Sequence, residues 1–462
     1  MAAAREPYNR CVKPTPSAAR IPARGLAPGS PIRGTFRPPG SKSLAQRALL
    51  CAALAEGETV LEGVPDDGDV QSAIELVAGL GAEVRRDGAG LVRIGGLPSK
   101  AGGPVPRGAL DVGESGTLAR LATATVALAS APGSAWTLQA RGTLLFRRSR
   151  PLFDALQEAG VRLLRQNLPA TWPVELESVR PPELVRIVEP VSSQEVSALL
   201  LALAAHAERR QIEVSGPVPS APYLALTLRI LEQFGAEVHV EPENGKRVLH
   251  VRGPLVGTRS PLRVEPDASS AAVALAAAVL SGGEVAVTGI AHDSPQGDVR
   301  IVAHLCAFGC DARHEGNVLS ARGEPVRGAE LDLAGEPDLA PVLAAVAAAA
   351  ALRAGAESRL GGLATLPGKE SDRLSTLKAG LERLGLAVEA GDDFLCVAPG
   401  DAEPGAGELD PRGDHRMAFA FALLGLLAPG LRVRDPDCVA KSWRTFWSDL
   451  ARLGARVEIA EV

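Results

Sequence analysis

Lysine is scarce in this chain. Only seven of its 49 basic residues are lysines (Lys13, Lys42, Lys100, Lys246, Lys369, Lys378 and Lys441), and arginine supplies positive charge everywhere else. A lysine that persists against such a bias suggests a role for a compact, movable ammonium. Aromatic residues make up 3% of the sequence, too few for a base-stacking surface, and a formal net charge of −5 gives no bulk attraction for nucleic acid. Cysteine is sparse too. The six (Cys11, Cys51, Cys306, Cys310, Cys396 and Cys438) are scattered, which argues against a disulfide framework or a thiolate metal site and for free thiols in a reducing cytoplasm. Cys306 and Cys310 alone are near enough to share a helix face. Long apolar runs are missing as well: the Ala-rich stretch 339–353 is too short for a membrane span and follows Glu336 and Asp338. Acids are nearly absent from residues 1–25, an Ala-, Arg- and Pro-rich segment. It weakly resembles an organelle transit peptide but has no apolar central region, so a disordered tail is expected.

The most informative segment that is present runs Pro38-Pro39-Gly40-Ser41-Lys42-Ser43-Leu44-Ala45-Gln46-Arg47-Ala48-Leu49-Leu50. A small polar loop leads straight into an Ala/Leu-rich helix. Free backbone N–H groups and the helix dipole make such a start a seat for a small anion, and Lys42 and Arg47 add two positive charges there. The plain alternative is an ordinary N-cap with solvated basic residues. Ser41 separates Gly40 from Lys42, so the segment is not a Walker A loop.

A chain of 462 residues is too long for one ordinary core, and two domains are expected. Six times, at intervals of about 70–80 residues, an amphipathic helix ends in Gly and a short apolar strand follows. These junctions are Leu80-Gly81-Ala82, Ala159-Gly160-Val161, Phe234-Gly235-Ala236, Phe308-Gly309-Cys310, Leu384-Gly385-Leu386 and Leu453-Gly454-Ala455. The glycines suit the left-handed position after a helix, and their recurrence predicts six copies of a mixed α/β unit. Further helices start in polar segments: Gly113-Glu114-Ser115-Gly116-Thr117, Ser192-Ser193-Gln194, Asp267-Ala268-Ser269-Ser270 and Asp414-His415-Arg416. Several anion-friendly helix starts in one chain could converge on a single cleft.

Other residues carry charge at such places. Thr117 and Arg120 fall in a first helical turn, and Gly116 lets a ligand approach the backbone. Arg147, Arg148 and Arg150 cluster before Pro151 with no acid nearby; for Arg147 and Arg148 a solvated basic turn is the favoured reading. Lys369 and Arg373, four apart, share a helix face, ordinarily as ion pairs with Glu370 and Asp372. Asp338 between Pro337 and an apolar helix reads as an N-cap, as do Asp414 and His415, although the latter two also hint at a dyad. Lys42, Arg47, Arg150, Lys369, Arg373, Arg416 and Lys441 together exceed what one anion needs. They suit two anionic substrates, with a few acids among them to move protons.

In this order, from about residue 30 to the C-terminus, these segments resemble the 5-enolpyruvylshikimate-3-phosphate synthases. The most specific elements are Pro39-Gly40-Ser41-Lys42-Ser43…Arg47-Ala48-Leu49, Ser192-Ser193-Gln194, Asp267-Ala268-Ser269-Ser270-Ala271, Gln296-Gly297-Asp298-Val299, Lys369-Glu370-Ser371-Asp372-Arg373 and Asp414-His415-Arg416-Met417-Ala418. The resemblance implies an α/β fold of two globular domains, each of three βαβαββ units. One domain would comprise residues 26–39 and 265–462, the other 40–264, with hinges near 39–42 and 264–267 and Lys42 at the first. It implies transfer of the enolpyruvyl group of phosphoenolpyruvate to the 5-hydroxyl of shikimate 3-phosphate by addition and elimination, with no metal and no organic cofactor. Lys42, Ser43, Arg47, Ser192, Ser193, Gln194, Ser220, Asp338, Thr365 and Lys369 would bind shikimate 3-phosphate. Lys42, Gly116, Arg150, Gln194, Arg373, Arg416 and Lys441 would bind phosphoenolpyruvate. Asp338 would be the base toward the 5-hydroxyl, Glu370 a group exchanging protons at the methylene carbon, Lys42 a third catalytic group, and Tyr223 a cleft-lining residue. Gly116 is the small residue the family associates with sensitivity to glyphosate. A monomeric cytoplasmic enzyme is expected, acting on these small molecules and on neither nucleic acid nor membrane.

Five positions depart from the family pattern. Glu114 stands in place of Asn, so that either a nearby Arg neutralises it or anion binding weakens. Thr365 replaces an Asn that would touch shikimate 3-phosphate. Gln46 and Gly413 replace Asn, and Leu121 replaces Pro. Enolpyruvyl transferases acting on UDP-N-acetylglucosamine share the fold, but they place Asn after the first Lys and a Cys in the loop matching 142–151; here Ser43 follows Lys42 and that loop has no Cys. A transferase with another hydroxylated anionic acceptor, and a non-catalytic binding homologue, are the remaining alternatives.

Overall fold

The computed structural model describes residues 22–88, 90–97, 107–243 and 246–460. All six glycines of the repeated junctions have positive φ, between +75° at Gly385 and +103° at Gly81. At each, the left-handed turn ends one helix and launches a strand. Among the described residues the result is six four-stranded sheets, each mixing parallel and antiparallel pairs. The unit over 184–252 is representative. Strand Leu184–Val188 runs parallel to Arg210–Ser215, which pairs antiparallel with Lys246–Arg252, and Glu237–Glu243 closes the edge. The helices Ser193–Leu203 and Pro222–Gln233 fill the two connections.

In three sheets one strand comes from far along the chain. Strand Leu262–Arg263 lies parallel to Glu58–Glu62, and Arg33–Phe36 lies parallel to Glu284–Thr288. The two connecting passages run side by side: Ser41 N–H donates to the Glu265 carbonyl at 2.8 Å, and Asp267 N–H to the Pro39 carbonyl at 2.8 Å. The first described strand begins at Arg24, inside the segment assigned to a tail. It is held between Leu431–Val433 and Arg456–Ile459 by a ladder that reaches Ala27. Residues 1–21 lie outside the described residues.

Two hydrophobic cores result, one drawn from residues 44–264 and one from 26–36 together with 268–455. Each is centred on three helices buried almost all round. They are Lys42–Leu54, Gly116–Leu128 and Ser193–Leu203 in the first, and Ala268–Leu280, Ala340–Ala354 and His415–Leu424 in the second. Alanine is abundant in five of them, Ser193–Leu203 being richer in leucine, because small side chains let helices pack closely on several sides. Helical residues Pro337–Ala354 form an 18-residue stretch that meets the length and apolarity of a membrane span, longer than the sequence pattern suggests, and 78% of it is buried inside the core. Cys306 lies in the last turn of the short helix Ile301–Ala307, whereas Cys310 lies beyond the Gly309 turn, so the two share no helix face.

Candidate active site

The polar starts of the six central helices face one another across the cleft between the two cores. A cavity of about 800 Å³ opens there, lined from one side by Arg120, Arg147, Ser192, Gln194 and Ser220 and from the other by Thr365, Lys369 and Glu370.

Asp338 is the centre of one cluster. It does not cap its helix: it sits in the 3₁₀ turn Pro337–Leu339 and points into the cleft. Its Oδ1 accepts from Arg373 Nη1 at 2.9 Å and lies 3.4 Å from Lys369 Nζ, while Oδ2 lies 3.0 Å from Arg416 Nη2. Burial alone would raise the Asp338 pKa, but Arg416, Lys369 and Arg373 outweigh it and hold the carboxyl well below the ordinary range. Arg373 is fixed in turn by Asp414, whose two oxygens accept from Nε at 2.8 Å and Nη2 at 3.2 Å. The partners of Lys369 and Arg373 therefore come from other elements, and the two share no helix face: Asp372 caps a helix that begins at Arg373, whereas Lys369 follows the 3₁₀ turn Leu366–Gly368. Burial lowers the Lys369 pKa despite the nearby Asp338.

Glu370 is the centre of a second cluster. Its Oε1 lies 3.1 Å from Lys441 Nζ and its Oε2 3.0 Å from His415 Nδ1. Burial opposes ionisation, yet His415, Lys441 and Lys42 keep this carboxyl well below its usual value. Burial pushes the His415 pKa down and Lys42 adds to the effect, while the carboxylate of Glu370, an acceptor, takes a hydrogen bond from the ring Nδ1. The dyad hinted at by Asp414-His415 is in fact Glu370 with His415, because Asp414 caps the helix and binds Arg373.

Lys42 donates to Asp69 at 3.0 Å. Burial opposes its charge, but Asp69 and Glu370 more than compensate and raise its pKa. Arg47 is 1% exposed. It donates to Thr227 and to the Ser43 carbonyl, and its Nη2 is buried without a partner; burial lowers its pKa to about 10. Gln194 accepts from Arg120 at 3.1 Å, and Ser192 caps the helix by accepting from Gln194 N–H. Ser193 is buried. Ser220 lies at the cleft wall with φ +56°. The Thr365 hydroxyl is buried and unpartnered at the opposite wall. Tyr223 reaches across the cleft and donates to Asp298 at 3.0 Å, with Asp338 at 3.5 Å. Burial raises Asp298 to about 6.

Arg150 is not brought into the site. Pro151 occupies the first turn of helix Arg150–Glu158, and the Arg150 side chain turns outward, 81% exposed and 3.4 Å from Asp154. Arg147 takes the interior place. Its guanidinium covers Gly116: a Cβ built there would lie 2.7 Å from Nη2. Burial lowers the Arg147 pKa, its Nε is buried without a partner, and it makes no ion pair among the described residues. The signal in the sequence was the acid-free run of arginines, which reads equally well as a solvated turn.

The EPSP synthase (3-phosphoshikimate 1-carboxyvinyltransferase) family model matches residues 26–450. The chain belongs to the EPSP synthase family. It is 36% identical to the 3-phosphoshikimate 1-carboxyvinyltransferase of Laribacter hongkongensis, covering 93% of this chain and 99% of that one. It is 35% identical to the enzyme of that name from Ralstonia pickettii, over 92% and 97%. A solved EPSP synthase from Acinetobacter baumannii superimposes with a TM-score of 0.73 at 25% identity, over 96% of this chain and all of that one. The two-domain mixed α/β architecture of the enolpyruvyl transferases is thus the fold of this chain, and the chain is an enzyme.

Against the EPSP synthase pattern, three of the departures pack or pair in the structure. Gln46 is buried and donates to Ser115 at 2.9 Å and to the Asp69 carbonyl at 3.2 Å, tying the Lys42 helix to the Gly116 loop. Leu121 is fully buried in its core. Glu114 faces a lysine rather than an arginine: its Oε2 lies 3.6 Å from Lys441 Nζ.

Proposed function

We propose that this enzyme joins phosphoenolpyruvate to the 5-hydroxyl of shikimate 3-phosphate, releasing phosphate. The observation that carries this reading is a pair of guanidiniums that make no ion pair among the described residues: Arg147, which lines the cleft, and Arg47, buried in the helix that starts at Lys42. A buried guanidinium lacking a carboxylate is costly unless an anionic ligand completes it. Arg47, with Ser43, Ser192, Ser193, Gln194, Ser220, Thr365 and Lys369, would seat shikimate 3-phosphate. Arg147, Gly116, Gln194, Arg373, Arg416, Lys441 and Lys42 would seat phosphoenolpyruvate, Arg147 taking the part the sequence pattern gives Arg150.

Chemistry then follows from the two carboxylates. Asp338 accepts the 5-hydroxyl proton as the oxygen attacks C2 of phosphoenolpyruvate. The methylene carbon takes a proton in the same stage, giving a tetrahedral intermediate. Glu370, ionised between Lys441 and His415, delivers that proton only after drawing it from one of these neighbours. In the second stage the C2–O bond to phosphate breaks, the phosphate carries away the proton that Asp338 took from the 5-hydroxyl, and the methyl group returns a proton to Glu370, which passes it back to the neighbour that supplied it. Surrounding cations stabilise the charge on the departing phosphate. No step needs a metal or an organic cofactor. Segments 26–39 with 265–462 and 40–264 would act as two lobes that close about the paired passages at 39–42 and 264–267. A monomer in the cytoplasm fits this reading.

The test is phosphate release by purified protein. Release from phosphoenolpyruvate is expected only when shikimate 3-phosphate is added; none across a broad pH range would sink the proposal. Glyphosate should inhibit competitively with phosphoenolpyruvate. Gly116→Ala should weaken that inhibition and also raise the Michaelis constant for phosphoenolpyruvate, because the new methyl group must push Arg147 from its position. Full activity at saturating glyphosate in the parent enzyme would contradict this.

A further inference from the structure

Lys441 faces two carboxylates on opposite sides of the cleft. Glu370, from its own lobe, lies at 3.1 Å; Glu114, from the other, at 3.6 Å. The ammonium is 13% exposed and Glu114 is 49% exposed, so Glu114 reaches inward from the rim. It has a seat there. Gly142, with φ +57°, lies beneath the carboxyl group, and a Cβ at that position would come within 2.5 Å of the Glu114 Cδ. The backbone on either side is pinned, since Gly113 N–H donates to Asp111 at 2.8 Å and Arg141 N–H donates to the Gly113 carbonyl at 2.8 Å. Other ion pairs between the two lobes, Arg444 with Asp66 at 3.8 Å and Arg229 with Asp293 at 3.1 Å, use exposed side chains away from these carboxylates.

We propose that Glu114 is an internal competitor of phosphoenolpyruvate for Lys441 and a latch between the lobes, displaced when the substrate's anionic group arrives. This rests on the assignment of Lys441 to phosphoenolpyruvate. The sign of its effect follows from linkage. An ion pair present only in the ligand-free closed state stabilises that state alone, so removing it favours binding. A partly exposed pair limits the size of the effect to about three- to fivefold in affinity.

Glu114→Gln keeps the shape and removes the charge. With shikimate 3-phosphate saturating, its Michaelis constant for phosphoenolpyruvate should fall about three- to fivefold. The ligand-free variant should also be more extended than the parent in small-angle X-ray scattering. An unchanged or raised Michaelis constant, or an unchanged scattering profile, overturns the proposal. If the parent fails to turn over phosphoenolpyruvate with shikimate 3-phosphate, the assigned reaction fails; the scattering comparison then decides the latch by itself.

Discussion

Replacing Asp338 with Asn is expected to lower kcat by about 10²–10⁴-fold, the usual contribution of a positioned general base. Two further readouts distinguish this from a damaged pocket. The Michaelis constant for phosphoenolpyruvate should not rise, because Arg373, Arg416 and Lys369 lose an internal carboxylate that competes for them. The loss should also be even from about pH 5 to pH 8. These cations hold the carboxyl well below its ordinary value, so the parent enzyme keeps it ionised throughout that window. Linkage gives the same sign for stability. A depressed folded-state pKa contributes stability that is present above the ordinary Asp value and lost as pH falls through the folded one. Steady-state kinetics of Asp338→Asn over that pH range are the measurement. A kcat within threefold of the parent would remove Asp338 from the chemistry.

The second large effect contrasts two arginines three residues apart. Arg147→Met should raise the Michaelis constant for phosphoenolpyruvate by about 10–100-fold, as expected for a charged hydrogen bond lost inside a closed site. Arg150→Met should change it by less than about twofold, because an exposed i,i+4 pair with Asp154 carries little energy. The reverse pattern would show that the Arg150 side chain swings inward when substrate binds.

These arginines also mark the limit of what the sequence reveals. An Arg-Pro pair at 150–151 is a stronger local pattern than Arg147 in a basic turn. What decides between them is where the helix Arg150–Glu158 begins: the turn before it lays Arg147 over Gly116 and leaves Arg150 on the outside. The six Gly junctions and the polar helix starts were legible because helix ends have local chemical requirements. The convergence of those starts on one cleft followed from counting them. Partners were not legible. Neighbour rules along a helix offer Lys369 and Arg373 only Glu370 and Asp372, whereas the structure gives them Asp338 and gives Arg373 also Asp414. Asp338, Asp414 and His415 all read as caps, and only Asp414 is one. The charge at Glu114 was visible in the sequence; that its partner is Lys441, on another element of the other lobe, was not.

Strand Arg24–Ala27 is bonded on both sides by strands made from the last part of the chain, Leu431–Val433 and Arg456–Ile459. Vectorial synthesis therefore builds the molecule out of order. The core of residues 44–264 has all its pieces once Val264 emerges from the ribosome. The earlier strand must wait, its edges unpaired, until synthesis is nearly over. An interrupted polypeptide would present one finished lobe joined to an open β edge. The second lobe, which brings Asp338, Glu370, Arg373, Arg416 and Lys441, is the last to form.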